Sequence, residues 1–469
     1  SGNQEYTGTV ILNNNYTTGG GNFTVQGITA LQSDTVINTT GSSGDGDVQF
    51  NNIKNNTLHP LVVNVGTGEA VINISNDSVL LNNSQNNFIG PLSVNVTGSD
   101  DVEIVDSNLL QLGSATFGSN NVSFKAEDLD IFGPISTSGG ANLVFQPLDS
   151  NENIGIGQGV GSFNLTQTDI DNINNGFSSI TIGSSGASGQ VDINNATFLD
   201  PLIIQADGLG SSIGINGQLL GADDASITIN GSRQTTTLNG NIITNGNLIL
   251  INDAVILASS VLLDTTTNGS FTGANITFGD TVRGEFSLTL HSGFNVGDIL
   301  FQSNVGSVKS RIGNFFVENA NNIKMNADFF AADASLTFSG NWLNTSQFPL
   351  DVNSLFVSGF ANGATVFGTV GGNGSILATQ FVTGVKGDPL FTINDCVMGV
   401  ACSVHKNINS VDLSVDVEPE LLTVLNLVNV GEQQKTLQDP RDERYSNMGN
   451  EELWMEKKVR TLQNSNSFQ

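Results

Sequence analysis

The chain has 469 residues, with 44 acidic side chains against 15 basic ones and a formal charge of −29. That balance repels phosphate backbones and anionic lipid, which excludes nucleic-acid binding and electrostatic docking on membranes. Charged residues make up 13% and apolar residues 38%, the reverse of what a disordered chain carries.

The aromatic residues are 27 Phe against three Tyr and two Trp, a choice that suits a dry interior because Phe needs no polar partner. The most apolar window, 247–263, is broken by Asn252-Asp253 and Ser259-Ser260, so it reads as strand and not as a membrane helix. The chain begins at Ser1 without a signal-peptide pattern, and a processed or excised piece of a longer protein is expected.

Residues 1–90 carry loose alternations such as Val10-Ile-Leu12, Phe23-Thr-Val25 and Leu61-Val-Val63-Asn-Val65. From Pro91 the runs sharpen: Leu92-Ser-Val94-Asn-Val96, Val122-Ser-Phe124, Leu143-Val-Phe145. Pro91, Pro134 and Pro201 each stand at the opening of a run, where a missing donor does least harm. Over 153–183 the pattern changes. Gly155-Ile-Gly157-Gln-Gly159-Val-Gly161 leads into Leu165 to Ile173 at helix-like spacing, which predicts a stretch outside the strand pattern.

Between Pro201 and Gly293 the alternation is clearest, in Leu202-Ile-Ile204, Ile227-Thr-Ile229, Ile276-Thr-Phe278 and Leu288-Thr-Leu290. The period of two marks strands with one face inward. Runs so short cannot bury a face alone, but a chain coiled so that each run pairs with the one a coil above can. Asn and Gly at the corners suit left-handed turns. The predicted fold is all-β, a parallel β-helix (β-solenoid) over residues 1–393. At about 20 residues per coil it would have on the order of 18 to 20 coils, a rod of roughly 90 Å at ~4.8 Å per strand. A cysteine loop and linker (394–431) and a charged tail with a short helix (432–469) follow. In that tail Arg441, Arg444, Trp454, Lys457 and Lys458 form a candidate partner-binding segment.

Several of these stretches carry a resemblance. Ser270 to Gly293 with Gly297-Asp-Ile-Leu-Phe301, the segment Ile154 to Ile182, Leu390 to Cys396 with its second cysteine, and Asp439-Pro-Arg-Asp-Glu-Arg444 resemble the C-terminal portion of filamentous-haemagglutinin-like exoproteins. The resemblance covers about residues 85–455. It implies that the β-helix over residues 1–393 is a right-handed parallel one, with two-partner secretion through an outer-membrane transporter and display on the surface of a Gram-negative bacterium. The family's N-terminal secretion domain, with its Asn-Pro-Asn motifs, has no counterpart here. Cys396 and Cys402 are expected to pair as a disulfide, because an exported protein meets an oxidising compartment.

The chemistry-bearing residues are few. A nucleophile triad needs a histidine beside Ser or Cys, and His59, His291 and His405 read as surface histidines. Carboxylate clusters of the kind that β-helix lyases and hydrolases use occur at Asp100-Asp101-Glu103 and Asp223-Asp224, with Arg233 or Arg283 as bases or clamps. Adjacent Asp residues at a turn are ordinarily corner chemistry. Gly371-Gly-Asn-Gly and Asp45-Gly-Asp47 are incomplete as calcium loops, and Gly155 to Gly161 lacks the βαβ context of a dinucleotide loop. No cofactor is expected beyond weak surface calcium. Asn-x-Ser/Thr at Asn22, Asn73, Asn95, Asn195, Asn275 and Asn344 arises from composition and signals glycosylation weakly.

The expectation is a non-enzymatic secreted or cell-surface rod, an adhesin or the subunit of a filament. Its partners would be further copies of itself, head to tail or lateral, or surface glycans of a host or particle. The alternative is a carbohydrate-active β-helix enzyme, either a polysaccharide lyase or a hydrolase.

Overall fold

The computed structural model describes residues 2–53, 61–65, 68–74, 79–96, 98–99, 101–231, 235–266, 272–339, 341–344, 350–359, 369–372, 376–383 and 410–413. Every paired strand among them is parallel to its neighbour, and the one helix is the five-residue turn Gln167–Asp171. The fold is a parallel β-solenoid. It divides into two units, Ser1–Asn247 with Ile251–Asp253, and Leu248–Leu250 with Ala254–Gln469.

Alternation becomes burial strand by strand. In Leu202–Ala206, Leu202, Ile204 and Ala206 are buried while Ile203 and Gln205 are partly exposed. Register then stacks like on like: Ile180 pairs with Leu202 and Leu202 with Ile227. Phe124 lies on Phe145 with ring centroids 5.8 Å apart and 16° between planes, and Phe278 on Phe301 at 4.9 Å and 2°. Each such side chain removed from water contributes about 1.5–3 kcal/mol, and each coil's backbone ladder satisfies the next. Ladder partners in successive coils lie mostly 19 to 28 residues apart, as Leu109 with Asp128 and His291 with Asn319, and 37 apart between Asn142 and Ser179. The coils are thus mostly longer than a 20-residue repeat, and the described strands make about 14 turns in all, fewer than the sequence suggested.

Prolines sit where the pattern put them. Pro91, Pro134 and Pro201 accept through their carbonyls from Ala70, Ala115 and Ile180, and their missing donors leave no gap in those bonds. The corners match expectation at glycine, of which thirteen described residues are left-handed, and only in part at asparagine. Among described non-glycine residues only Asn195, Asp223 and Asn295 are left-handed. Most corner asparagines work through the side chain instead. Asn22 Oδ1 accepts from the Asp47 N–H at 3.1 Å, Asn275 Oδ1 from the Asp298 N–H at 2.8 Å, and Asn304 Oδ1 from the Asp328 N–H at 3.2 Å. Each bridges two coils at the residue where the backbone ladder begins, beside the bonds from Phe23, Ile276 and Val305 to the carbonyls of Asp47, Asp298 and Asp328. Buried hydroxyls do similar work inside the turns. Thr265 Oγ1 donates to the Ala274 carbonyl at 2.7 Å, and Ser292 Oγ to the Gly297 carbonyl at 2.9 Å.

Within the first unit the sheets change over near residues 128–178. One sheet runs through Leu92–Val96 and Leu109–Phe117 to Asp128–Ile131 and Ile135–Thr137. Another begins at Phe163–Thr166, beside Ile154–Gly157 and then Gln190–Asn194. A third continues unbroken, Asn142–Pro147 pairing with Ser179–Ser184. The excursion between them holds the helical turn that the spacing of Leu165 to Ile173 predicts, but also two ladder strands that it does not. Parallel neighbours ordinarily need a crossover of a dozen or more residues, whereas residues 158–162 return the chain in five. Glycine makes this feasible: a Cβ on Gly159 would lie 1.9 Å from the Asp192 carbonyl oxygen, and one on Gly161 2.3 Å from the Gly155 nitrogen.

Candidate functional site

The carboxylates singled out in the sequence fall into different settings. Asp101 Oδ1 accepts from Asn121 Nδ2 at 3.0 Å. Asn121 Oδ1 accepts from Asn142 Nδ2 at 3.1 Å, and Ser179 Oγ donates to Asn142 Oδ1 at 3.0 Å. Glu103 accepts from Asn82 at 3.1 Å. These side chains belong to polar ladders running from coil to coil over the outer face. Gln205, Asn230 and Asn252 form another, with amide contacts of 3.2 and 2.6 Å. Arg283 is exposed at the end of its strand. Asp100 and Arg233 lie outside the described residues, as do His59, His405, Cys396, Cys402 and the tail residues Arg441, Arg444, Trp454, Lys457 and Lys458.

Asp223 and Asp224 do have a carboxylate neighbour, one the sequence reading missed. Asp200, at the preceding corner, is 1% exposed. Its Oδ1 accepts from the Gly176 N–H at 2.7 Å, and its Oδ2 is enclosed without a protein partner. Burial pushes its carboxyl up to about 6, against the Gly176 N–H, with the charges of Asp224 and Asp223 adding to the rise. Asp223 and Asp224 are exposed, and Asp223 accepts from the Asn175 side chain. The clue available in the sequence was position, an Asp directly before the Pro201 that opens the next strand. Nothing in composition or spacing tells that such an Asp turns inward.

His291 is no surface histidine. It stacks in register on Asp264. Its Nδ1 lies 3.4 Å from Asp264 Oδ2 and its Nε2 3.0 Å from Glu318 Oε2, and its side chain is 14% exposed. These are ion-pair distances, without the angles of good hydrogen bonds. Burial opposes protonation, but the two carboxylates outweigh it and hold the imidazole above its ordinary value.

Asp106 is fully buried, and burial pushes its carboxyl up to about 7 against the pull of the backbone N–H groups of Phe88, Ser107 and Asn108. Ser107 helps to line a cleft of about 500 Å³, with Lys125, Glu127, Leu148, Asp149 and Glu152 around it. Its walls are mostly charged, unlike the largely apolar lining usual for small-molecule sites.

Among the described residues no three His, Cys, Asp or Glu side chains are grouped to hold a metal ion, and no described helix is long and apolar enough to cross a membrane. Of the Asn-x-Ser/Thr asparagines, Asn22 and Asn275 accept from the next coil, and Asn195 donates to Gln158 Oε1 at 3.1 Å. Comparison with family models, with curated proteins and with solved structures finds no match to this chain.

Proposed function

We propose that the chain is a non-enzymatic extracellular or cell-surface solenoid, acting as an adhesin or as the subunit of a filament. The observation that carries this reading is the set of polar ladders on the outer face, Asp101–Asn121–Asn142–Ser179 foremost. They present amides, hydroxyls and carboxylates again and again at coil spacing, a surface suited to many weak contacts whose avidity supplies affinity. Partners of matching chemistry are surface glycans and further copies of the same chain. In this setting Cys396 and Cys402 pair as a disulfide, and a transporter of the two-partner type carries the chain out. Purified protein tests the reading: electron microscopy for polymers, and binding to immobilised glycans. A protein that neither polymerises nor binds glycans or cells removes its basis.

A second reading, a carbohydrate-active enzyme, draws on Asp200 beside Asp223 and Asp224, since carboxyls with divergent environments are the raw material of acid–base chemistry. Asp200 is closed to solvent, so it would position and polarise, and the exposed pair would meet the sugar. Polysaccharide turnover lost in Asp223→Ala, with the fold intact by circular dichroism, would establish this second reading over the first.

A further inference from the structure

Three neighbouring side chains in the second unit carry more than packing: Asp264 pairs in register with His291, and Glu318 falls at the irregularity just before Asn319, the register partner of His291. Asp264, His291 and Glu318 come from three successive coils, the strands Val261–Asp264, Leu288–His291 and Phe315–Asn319, which pair in parallel. The imidazole has a carboxylate oxygen at 3.4 Å from one nitrogen and another at 3.0 Å from the other. A neutral imidazole carries one N–H, so it can face only one carboxylate with a proton, and the other then meets a lone pair. An imidazolium faces both with N–H groups. Asp264 is held ionised, because Thr266 donates to its Oδ1 from both N–H (2.7 Å) and hydroxyl (2.6 Å). It cannot readily take up a proton to relieve the clash.

We propose that Asp264–His291–Glu318 is a pH-operated clamp, closed across three coils when His291 is protonated and loosened when it is neutral. The groups facing His291 are Asp264 from the strand before and Glu318 from the strand after. The residues of the following turn that pack there, Thr265, Ser292 and Asn319, do not titrate and are buried. Another ion pair on these coils, Asp298 with Lys324, is engaged with itself at 2.9 Å. The folded-state value of His291 is raised, so the clamp's contribution is complete below the unfolded value of 6.5 and is lost as pH rises through the folded one. Asp264 lies 7% exposed and Glu318 63% exposed, which makes Asp264 the stronger arm and Glu318 the arm that solvent screens.

The test uses the full chain. With three histidines in all, ¹³C-histidine labelling with H291Q for assignment gives the His291 titration directly. Hydrogen exchange of residues 261–266, 288–292 and 315–319, corrected for intrinsic rates, is followed from pH 5.5 to 8.5. The expected result is a His291 midpoint above 6.5 and protection falling roughly tenfold per unit of displacement, with no such fall in H291Q across the same pH range. E318Q should lower the midpoint less than D264N. A midpoint at or below 6.5, or the same pH-dependent loss of protection in H291Q, overturns the proposal.

Discussion

The backbone N–H of Ile131 donates to Oδ1 of Asp169 at 2.6 Å, across 38 residues of chain. The other oxygen of the same carboxylate takes the Thr166 N–H at 2.7 Å and the Thr166 hydroxyl, completing the capping box of the helical turn. One buried carboxylate thus starts a helix and ends a sheet. Asp169→Ala removes a cap and orphans a buried donor, each costing about 1–2 kcal/mol. The variant should be about 2–4 kcal/mol less stable in chemical denaturation, and Asp169→Asn should lose about half as much.

In the second unit, Phe278 is fully buried against Phe301. Phe278→Ala should cost about 3–5 kcal/mol. Phe278→Asp places an unpaired charge in the same site and should unfold the neighbouring coils outright. Exchange protection over 276–301 that survives Phe278→Asp would contradict the packing described.

Asp106 gives a pH dependence whose sign is fixed. Its folded value is raised from 3.8 to about 7, so its contribution to stability is complete below pH 4 and is lost as pH climbs through 7, at ~1.4 kcal/mol for each unit of displacement. Asp106→Asn keeps an acceptor for the Phe88 N–H and has no charge to bury. Its melting temperature should exceed that of the parent at pH 8 and converge with it near pH 4. Asp200, raised to about 6, should act in the same direction over a narrower window.

The five-residue return at 158–162 can be probed at two adjacent positions. Gly159→Ala drives a methyl into the Asp192 carbonyl, and should lower stability by several kcal/mol through backbone displacement. Val160, 79% exposed, should accept Ser with a change under about 0.5 kcal/mol. Comparing the two melting temperatures separates a steric requirement from general loop tolerance.

The strands were legible because a side-chain period of two is local: Leu202-Ile-Ile204 and Phe278 with its neighbours declare an inward face without reference to anything distant. The helical turn was legible for the same reason. The strands Ile154–Gly157 and Phe163–Thr166 were not: alternating glycine hides the first behind turn chemistry, and the second runs straight into the helix-like spacing that begins at Leu165. Roles that depend on a partner tens of residues away escaped altogether. Asp169 was one Asp in a helix-like run, Asp200 one Asp before a proline, and His291 a residue at a strand end. Asparagine was assigned only in part: Asn195 and Asn295 do bend to the left, but Asn22, Asn275 and Asn304 serve through side chains that bridge coils.

The changeover near residues 128–178 has a consequence for how the first unit comes apart. Where coils meet through full backbone ladders, a melting front moves from one to the next against nearly equal resistance. Here two of the walls are interrupted, and the contact between Asp128–Ile131 and the excursion rests on the side chains of Asp128, Asp169 and Asn172, with a single backbone bridge from Ile135 to Ile173 beside it, while the wall through Asn142–Pro147 continues as a full ladder. A front arriving at this seam meets a weaker coupling and can stop there. The coils on either side are then free to fray or to zip up as separate cooperative blocks, with Asp169 as the pin between them.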